Sequence, residues 1–176
     1  MSTERQGLME FRGQDVTIIG EDIRIGEEVQ DFTVMTKDWT WTNALESQRG
    51  KVRIVGSLPS LSTDVCDRET KTFNQAASSL SSDIAILMVS MDLPFTLNQW
   101  CAAADIEQVT TLSDHFRADF GEKYGVLIKE LRIFRRAIFV IDGKGKAVYT
   151  EYMPALGDEP DYEAVLTAAQ NALASS

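Results

Sequence analysis

The sequence predicts an α/β fold built on a central mixed β-sheet, and three observations carry that expectation. Two apolar runs, Val52-Arg-Ile-Val-Gly-Ser-Leu58 and Ile84-Ala-Ile-Leu-Met-Val-Ser90, have the near-continuous hydrophobicity of strands covered on both faces. Segments with helical periodicity follow each of them. Near the C-terminus, Arg136–Ile141 and Lys146–Tyr152 flank Asp142-Gly143-Lys144-Gly145, a strong antiparallel hairpin signal.

The elements can be taken in order. Val16–Ile19, a turn at Gly20-Glu21-Asp22 and Ile23–Ile25 predict an N-terminal β-hairpin over about residues 16–25. Asp31–Thr36 and Trp39–Thr42 read as extended pieces around a Lys37-Asp38 turn, with the two tryptophans on an edge strand. Asn43–Gly50 reads as one or two helical turns closed by glycine. After the strand from Val52, Pro59 and a Ser/Thr-rich loop lead into a helix over Asp64–Leu80. Its apolar positions Cys66, Phe73, Ala77 and Leu80 share one face, which puts Cys66 in the first turn, facing inward. Pro94 opens a second helix reaching Ala104 and carrying Cys101. A short strand at Val109–Leu112, a helical segment at Phe116–Tyr124 and an amphipathic helix at Asp161–Ala174 complete the chain. Strand, helix, strand, helix, hairpin, helix is the order of the thioredoxin fold. The N-terminal hairpin is an extension of it, and all 176 residues form a single domain.

Composition narrows the function. Hydrophobic content of 44% and charged content of 25% are those of a globular protein, and no apolar run is long enough to cross a bilayer. A charged N-terminus without an apolar stretch implies no signal peptide, hence a cytoplasmic location. A net charge of −10 argues against nucleic acid and anionic membranes as partners. Two cysteines without a C-x-x-C spacing exclude a disulfide-stapled scaffold and a thioredoxin-type dithiol. They are either packed bystanders or a transient redox pair. With one histidine, His115, expected to be solvated in a polar turn, no metal site is expected.

Cys66 stands where thiol chemistry is favoured. Only the thiolate attacks, and the first turn of a helix offers unpaired N–H groups and a partial positive charge that stabilise it. Thr63 lies three residues before it, and Pro59 ends the strand without a donor. A buried thiol and a threonine N-cap are the structural alternatives at these two positions.

Pro59-Ser-Leu-Ser-Thr63-Asp-Val-Cys66 resembles the Pro-x-x-x-Thr-x-x-Cys motif of peroxiredoxins. Ser90–Phe95, Gln99-Trp-Cys101, Thr111–Asp114, Tyr124-Gly-Val126, Arg136–Asp142 and Glu159–Ala164 resemble the bacterial thiol peroxidases, the atypical two-cysteine subfamily, across roughly Gly13 to Gln170. The resemblance implies that Cys66 is the peroxidatic nucleophile and Cys101 the resolving cysteine of an intramolecular disulfide. It implies that Thr63 and Arg136 bind the thiolate and peroxide, and that Pro59 covers the pocket. Arg132 and Arg135 compete with Arg136 as the basic partner by pattern alone, and alternation puts Arg135 and Arg136 on opposite faces. Hydrogen peroxide and organic hydroperoxides are the implied substrates and thioredoxin the implied reductant, with a homodimer and no metal or cofactor. A slow peroxide-sensing switch is the alternative. Phe95 and Trp100 are expected to pack in the core near Cys101, and Leu93 with Phe95 to line a pocket for organic hydroperoxides.

Three positions depart from the pattern. Ser62 stands where the subfamily usually has Asp. Asp64 adds an anion at the helix start, in competition with a Cys66 thiolate. Ala102 follows Cys101 where glycine is usual, which favours helix by about 1 kcal/mol. Disulfide geometry needs Cα atoms about 5.5 Å apart, so closing the pair is expected to unwind at least one of the two helices.

Overall fold

The computed structural model describes residues 1–176 and has a seven-stranded mixed sheet at its centre. Four two-residue strands come first: β1 (Glu4–Arg5), β2 (Glu10–Phe11), β3 (Gln14–Asp15) and β4 (Ile18–Ile19). Then follow β5 (Thr33–Thr36), β6 (Trp41–Asn43), a 3-10 turn at Glu46–Gln48, β7 (Val52–Ser57), α1 (Asp64–Ala77), β8 (Ile84–Ser90), α2 (Pro94–Ala104) and β9 (Thr110–Ser113). The last third holds α3 (Asp119–Lys123), β10 (Leu127–Ile128), β11 (Ile133–Phe134), β12 (Ala137–Ile141), β13 (Ala147–Tyr152) and α4 (Tyr162–Ala174).

The main sheet runs β13-β12-β7-β8-β9-β5-β6. β7, β8 and β9 are parallel, and the strands outside them pair antiparallel. This is the expected mixed α/β arrangement. Every residue of β7 and β12 is buried, as their apolar runs require. One core cluster, including Val55, Val89, Phe120, Tyr124 and Phe139, fills one face of the sheet. A second joins Ile54, Met88 and Ile138 to α1, α2 and α4, and both Cys66 and Cys101 belong to it.

The N-terminal extension is arranged differently from the expected hairpin over residues 16–25. Ile18–Ile19 does form a strand, but it pairs with Glu4–Arg5 and with Leu127–Ile128 instead of with Ile23–Ile25, which form no strand. The tight hairpin lies earlier, between β2 and β3, where Arg12 (φ 52°) and Gly13 (φ 78°) both take left-handed conformations. That backbone suits the twist of a two-residue hairpin, but arginine is an unusual residue to supply it. Gly20, read as a hairpin turn, has φ 91°, and a Cβ there would collide with the Glu122 carbonyl. The glycine therefore serves a close approach between the extension and α3. The helical segment expected from Phe116 begins only at Asp119, because Ala118 at φ 54° interrupts it.

Candidate active site

β7 ends at Ser57 and delivers buried Pro59 and the loop Ser60–Thr63 to the start of α1. Asp92, just beyond β8, holds that loop in place: its carboxylate accepts hydrogen bonds from the Ser60 hydroxyl (2.7 Å), the Leu61 amide (2.8 Å) and the Ser90 hydroxyl (2.8 Å). Thr63 is the N-cap residue of α1 by position. Its hydroxyl is exposed and donates to the Ser60 carbonyl (2.9 Å) instead of capping the helix. The first-turn amides of α1 therefore keep their donors free of side-chain caps. The structure does not bring the Thr63 hydroxyl into contact with Cys66.

Cys66 is fully buried, and the guanidinium of Arg136 donates to its sulfur from Nη2 at 3.2 Å. Arg136 stands just before β12, and its side chain is 1% exposed. Its remaining donors are taken up on both sides. Nε and Nη2 reach the Leu156 carbonyl at 3.3 and 3.0 Å, and Nη1 meets the Glu69 carboxylate at 2.6 Å. Arg135 points to the other face, where it stacks over the Tyr152 ring at 4.1 Å, donates to the Gly125 carbonyl and pairs with Asp22. Arg132 is exposed.

Glu69 is the residue sequence reasoning missed. It is fully buried, and burial pushes its pKa up to about 7 against the pull of Arg136. Its Oε1 has no hydrogen-bond partner. A signal was available: Cys66, Glu69, Thr70 and Phe73 follow the i, i+3, i+4, i+7 spacing of one helix face, so a carboxylate had to lie on the inward stripe.

Cys101 is buried near the end of α2, and its sulfur lies 3.2 Å from the Thr111 hydroxyl of β9. Asp105 in the left-handed conformation ends the helix just beyond it. Both cysteines are free thiols, each with its own partner. The helices that carry them are linked through Trp100, whose Nε1 donates to Asp67 Oδ1 at 2.9 Å. Trp100 is half-buried.

Phe95 is not in the core as expected. It is 65% exposed and packs edge-on against Trp39, with ring centroids 4.8 Å apart, because the first turn of α2 lies beside the β5–β6 turn at the protein surface. Leu93 is exposed too. His115 is half-buried rather than solvated: its Nδ1 is 2.8 Å from the Ser113 hydroxyl, and its ring meets Trp39. No three His, Cys, Asp or Glu side chains converge as a metal-binding set.

A thiol on a guanidinium, at an uncapped helix start, is a site for nucleophilic sulfur chemistry. Comparison with known proteins agrees in class. The AhpC/TSA family matches residues 25–150. The thiol peroxidase of Oceanobacillus iheyensis is 46% identical over 157 residues, covering 89% of this chain and 94% of the relative. That of Halalkalibacterium halodurans is 42% identical over 163 residues, 93% and 97% of the two chains. The crystal structure of a peroxiredoxin-like protein from Aquifex aeolicus superposes with a TM-score of 0.84 at 33% identity, covering 97% and 98%. With a family match across most of its length and relatives this similar from end to end, the chain belongs to the AhpC/TSA family, among its thiol-dependent peroxidases.

Proposed function

We propose that Cys66 is the peroxidatic nucleophile of this peroxidase and Cys101 its resolving partner, acting on hydrogen peroxide and organic hydroperoxides. The observation that carries the reading is the 3.2 Å contact between Arg136 Nη2 and Cys66 Sγ, made between two buried side chains. A guanidinium there is placed to donate to the reacting sulfur and to the oxygen on which charge develops. In the first step the thiolate attacks the terminal peroxide oxygen. An S–O bond forms, the O–O bond breaks, and the departing oxygen takes a proton to leave as water or alcohol. Cys66 becomes a sulfenic acid. Arg136 and the open first-turn amides of α1 are the donors for the reacting oxygens. Thr63 joins them if its hydroxyl leaves the Ser60 carbonyl, a rotation of one side chain.

In the second step the Cys101 thiol attacks the sulfenic sulfur, an S–S bond forms and water departs. Each sulfur now sits in a helix with a separate partner, so the turn around Cys66, the helix around Cys101, or both must unwind to close the bond. A dithiol protein then reduces the disulfide; thioredoxin is the proposed reductant, in the cytoplasm, with the enzyme as a homodimer. Peroxide consumption coupled to thioredoxin and its reductase tests the reading. Wild type should turn over, Cys66→Ser should be inactive, and Cys101→Ser should form sulfenic acid without cycling. Retained activity in Cys66→Ser refutes the nucleophile, and full thioredoxin-dependent cycling in Cys101→Ser refutes the resolving role.

A further inference from the structure

At the opposite end of β7 from Cys66, Arg53 is buried to 4% exposure without a partner for its charge. Nη1 donates to the Lys51 carbonyl at 2.6 Å, whereas Nε is buried and unpaired. Burial lowers its pKa, against the opposing fields of Tyr124, Asp142 and Asp31. The side chain lines a cleft of about 230 Å³ between the 3-10 turn region and the β12–β13 turn, where Lys144 adds a second cation and Arg49 a third that is paired with Glu46. The walls are close-set: a Cβ on Gly143 would stand 2.8 Å from the Gly50 carbonyl oxygen.

We propose that this cleft binds a small oxyanion, a carboxylate or phosphate group, on the free Nε/Nη2 edge of Arg53. That edge is the side of the guanidinium that takes two oxygens of one anion together, and it is the side the protein leaves unused. The carboxylates that share the cleft are already engaged. Asp31 accepts the amides of Phe32, Leu45 and Glu46, and Glu46 pairs with Arg49 at 2.9 Å. An entering anion completes the hydrogen bonding of a buried cation, which is costly to leave unpaired. The chain carries a net charge of −10, so its overall field repels such a ligand and only a local site would hold it.

The test is a titration of isotope-labelled protein with sodium phosphate and with sodium acetate, each against sodium chloride at matched ionic strength. Saturable shifts are expected at the amides of Gly50, Gly143, Lys144 and Gly145. Saturation by phosphate alone assigns a phosphate group, and saturation by acetate alone a carboxylate. Affinity should fall about tenfold or more in the exposed double variant Arg49→Ala/Lys144→Ala and vanish in Arg53→Gln, while peroxide turnover by the double variant is unchanged. The proposal is overturned if neither anion differs from chloride, if the shifts centre on Cys66 and Arg136, or if Arg53→Gln binds normally. Should Arg53→Gln fail to fold, undiminished binding in the double variant overturns it instead.

Discussion

Glu69 and Arg136 form a 2.6 Å ion pair with side chains 0% and 1% exposed, and the same guanidinium reaches Cys66 through its other terminal nitrogen. The carboxylate thereby fixes the plane of the group that faces the reactive sulfur. Removing one member of a buried pair strands the other, at a cost of about 3–5 kcal/mol. Arg136→Met should therefore lose stability on that scale, whereas Glu69→Gln, which keeps an acceptor for Nη1, should lose less. Denaturant unfolding of both variants decides it; equal losses would mean that Arg136 requires the carboxylate's charge and that an acceptor for Nη1 is not enough.

Glu69 also sets a pH dependence. Its pKa is raised by burial to about 7 in the folded protein, above the ordinary value of 4.5, so between those values the folded state holds a proton that the unfolded state has released. The contribution of this group to stability is then largest at low pH and declines as pH rises from about 4.5 to about 7. The difference in unfolding free energy between wild type and Glu69→Gln should fall across that window. A difference that is flat or rises with pH refutes the assignment.

Replacing Arg136 with lysine keeps the charge but not the fork that touches Cys66, Glu69 and Leu156 together. Removal of one well-placed donor to a developing oxyanion costs on the order of 10²-fold in rate. Arg136→Lys should slow peroxide-dependent Cys66 oxidation by about that factor in single turnover. A loss below threefold would show that charge alone suffices.

Disulfide closure should respond to the anchors of α2. Thr111→Val removes the hydroxyl 3.2 Å from Cys101 while preserving shape, and Ala102→Gly lowers the helix preference of an exposed position by about 1 kcal/mol. Each is expected to accelerate conversion of sulfenic acid to disulfide several-fold, and thus to reduce overoxidation to sulfinic acid. Trp100, tied to Asp67, provides a fluorescence signal for the unwinding. Unchanged closure rates in both variants would mean that the helix around Cys101 is not what must open.

The loop before Cys66 depends on Asp92. Asp92→Ala leaves the Ser60 hydroxyl, the Leu61 amide and the Ser90 hydroxyl without their shared acceptor. A loss of about 1–3 kcal/mol is expected, with slower Cys66 oxidation, because unsatisfied donors carry their full desolvation penalty. Wild-type values for both would place the loop's rigidity elsewhere.

How much of this was legible in the sequence depends on the range of the forces involved. The runs at Val52 and Ile84 and the Pro94 helix start are local signals, and they located the main sheet and both cysteine-bearing helices. Ile18–Ile19 was visible as a strand, but its partners at Glu4–Arg5 and Leu127–Ile128 were not, since two-residue strands leave no periodic pattern. Cys66 was placed by its helix turn; the same stripe of α1 carries Glu69 inward, but the partner that gives that carboxylate its role, Arg136, lies 67 residues away. Phe95 was assigned to the core on hydrophobicity alone, which does not distinguish an interior ring from one that covers Trp39 at the surface.

Arg135 and Arg136 are sequence neighbours committed to opposite sides of one strand end. A slip of that strand by a single residue against β7 would exchange them, turning Arg135 toward the thiol and Arg136 toward Tyr152 and Asp22. Ala137 pairs with Ser57 in the native alignment, and the Ser57 hydroxyl bonds the Arg135 carbonyl at 2.9 Å. The two arginines thus act as a proofreading pair for the sheet: a misaligned chain forfeits its reactive thiol's cation and its Asp22 contact together.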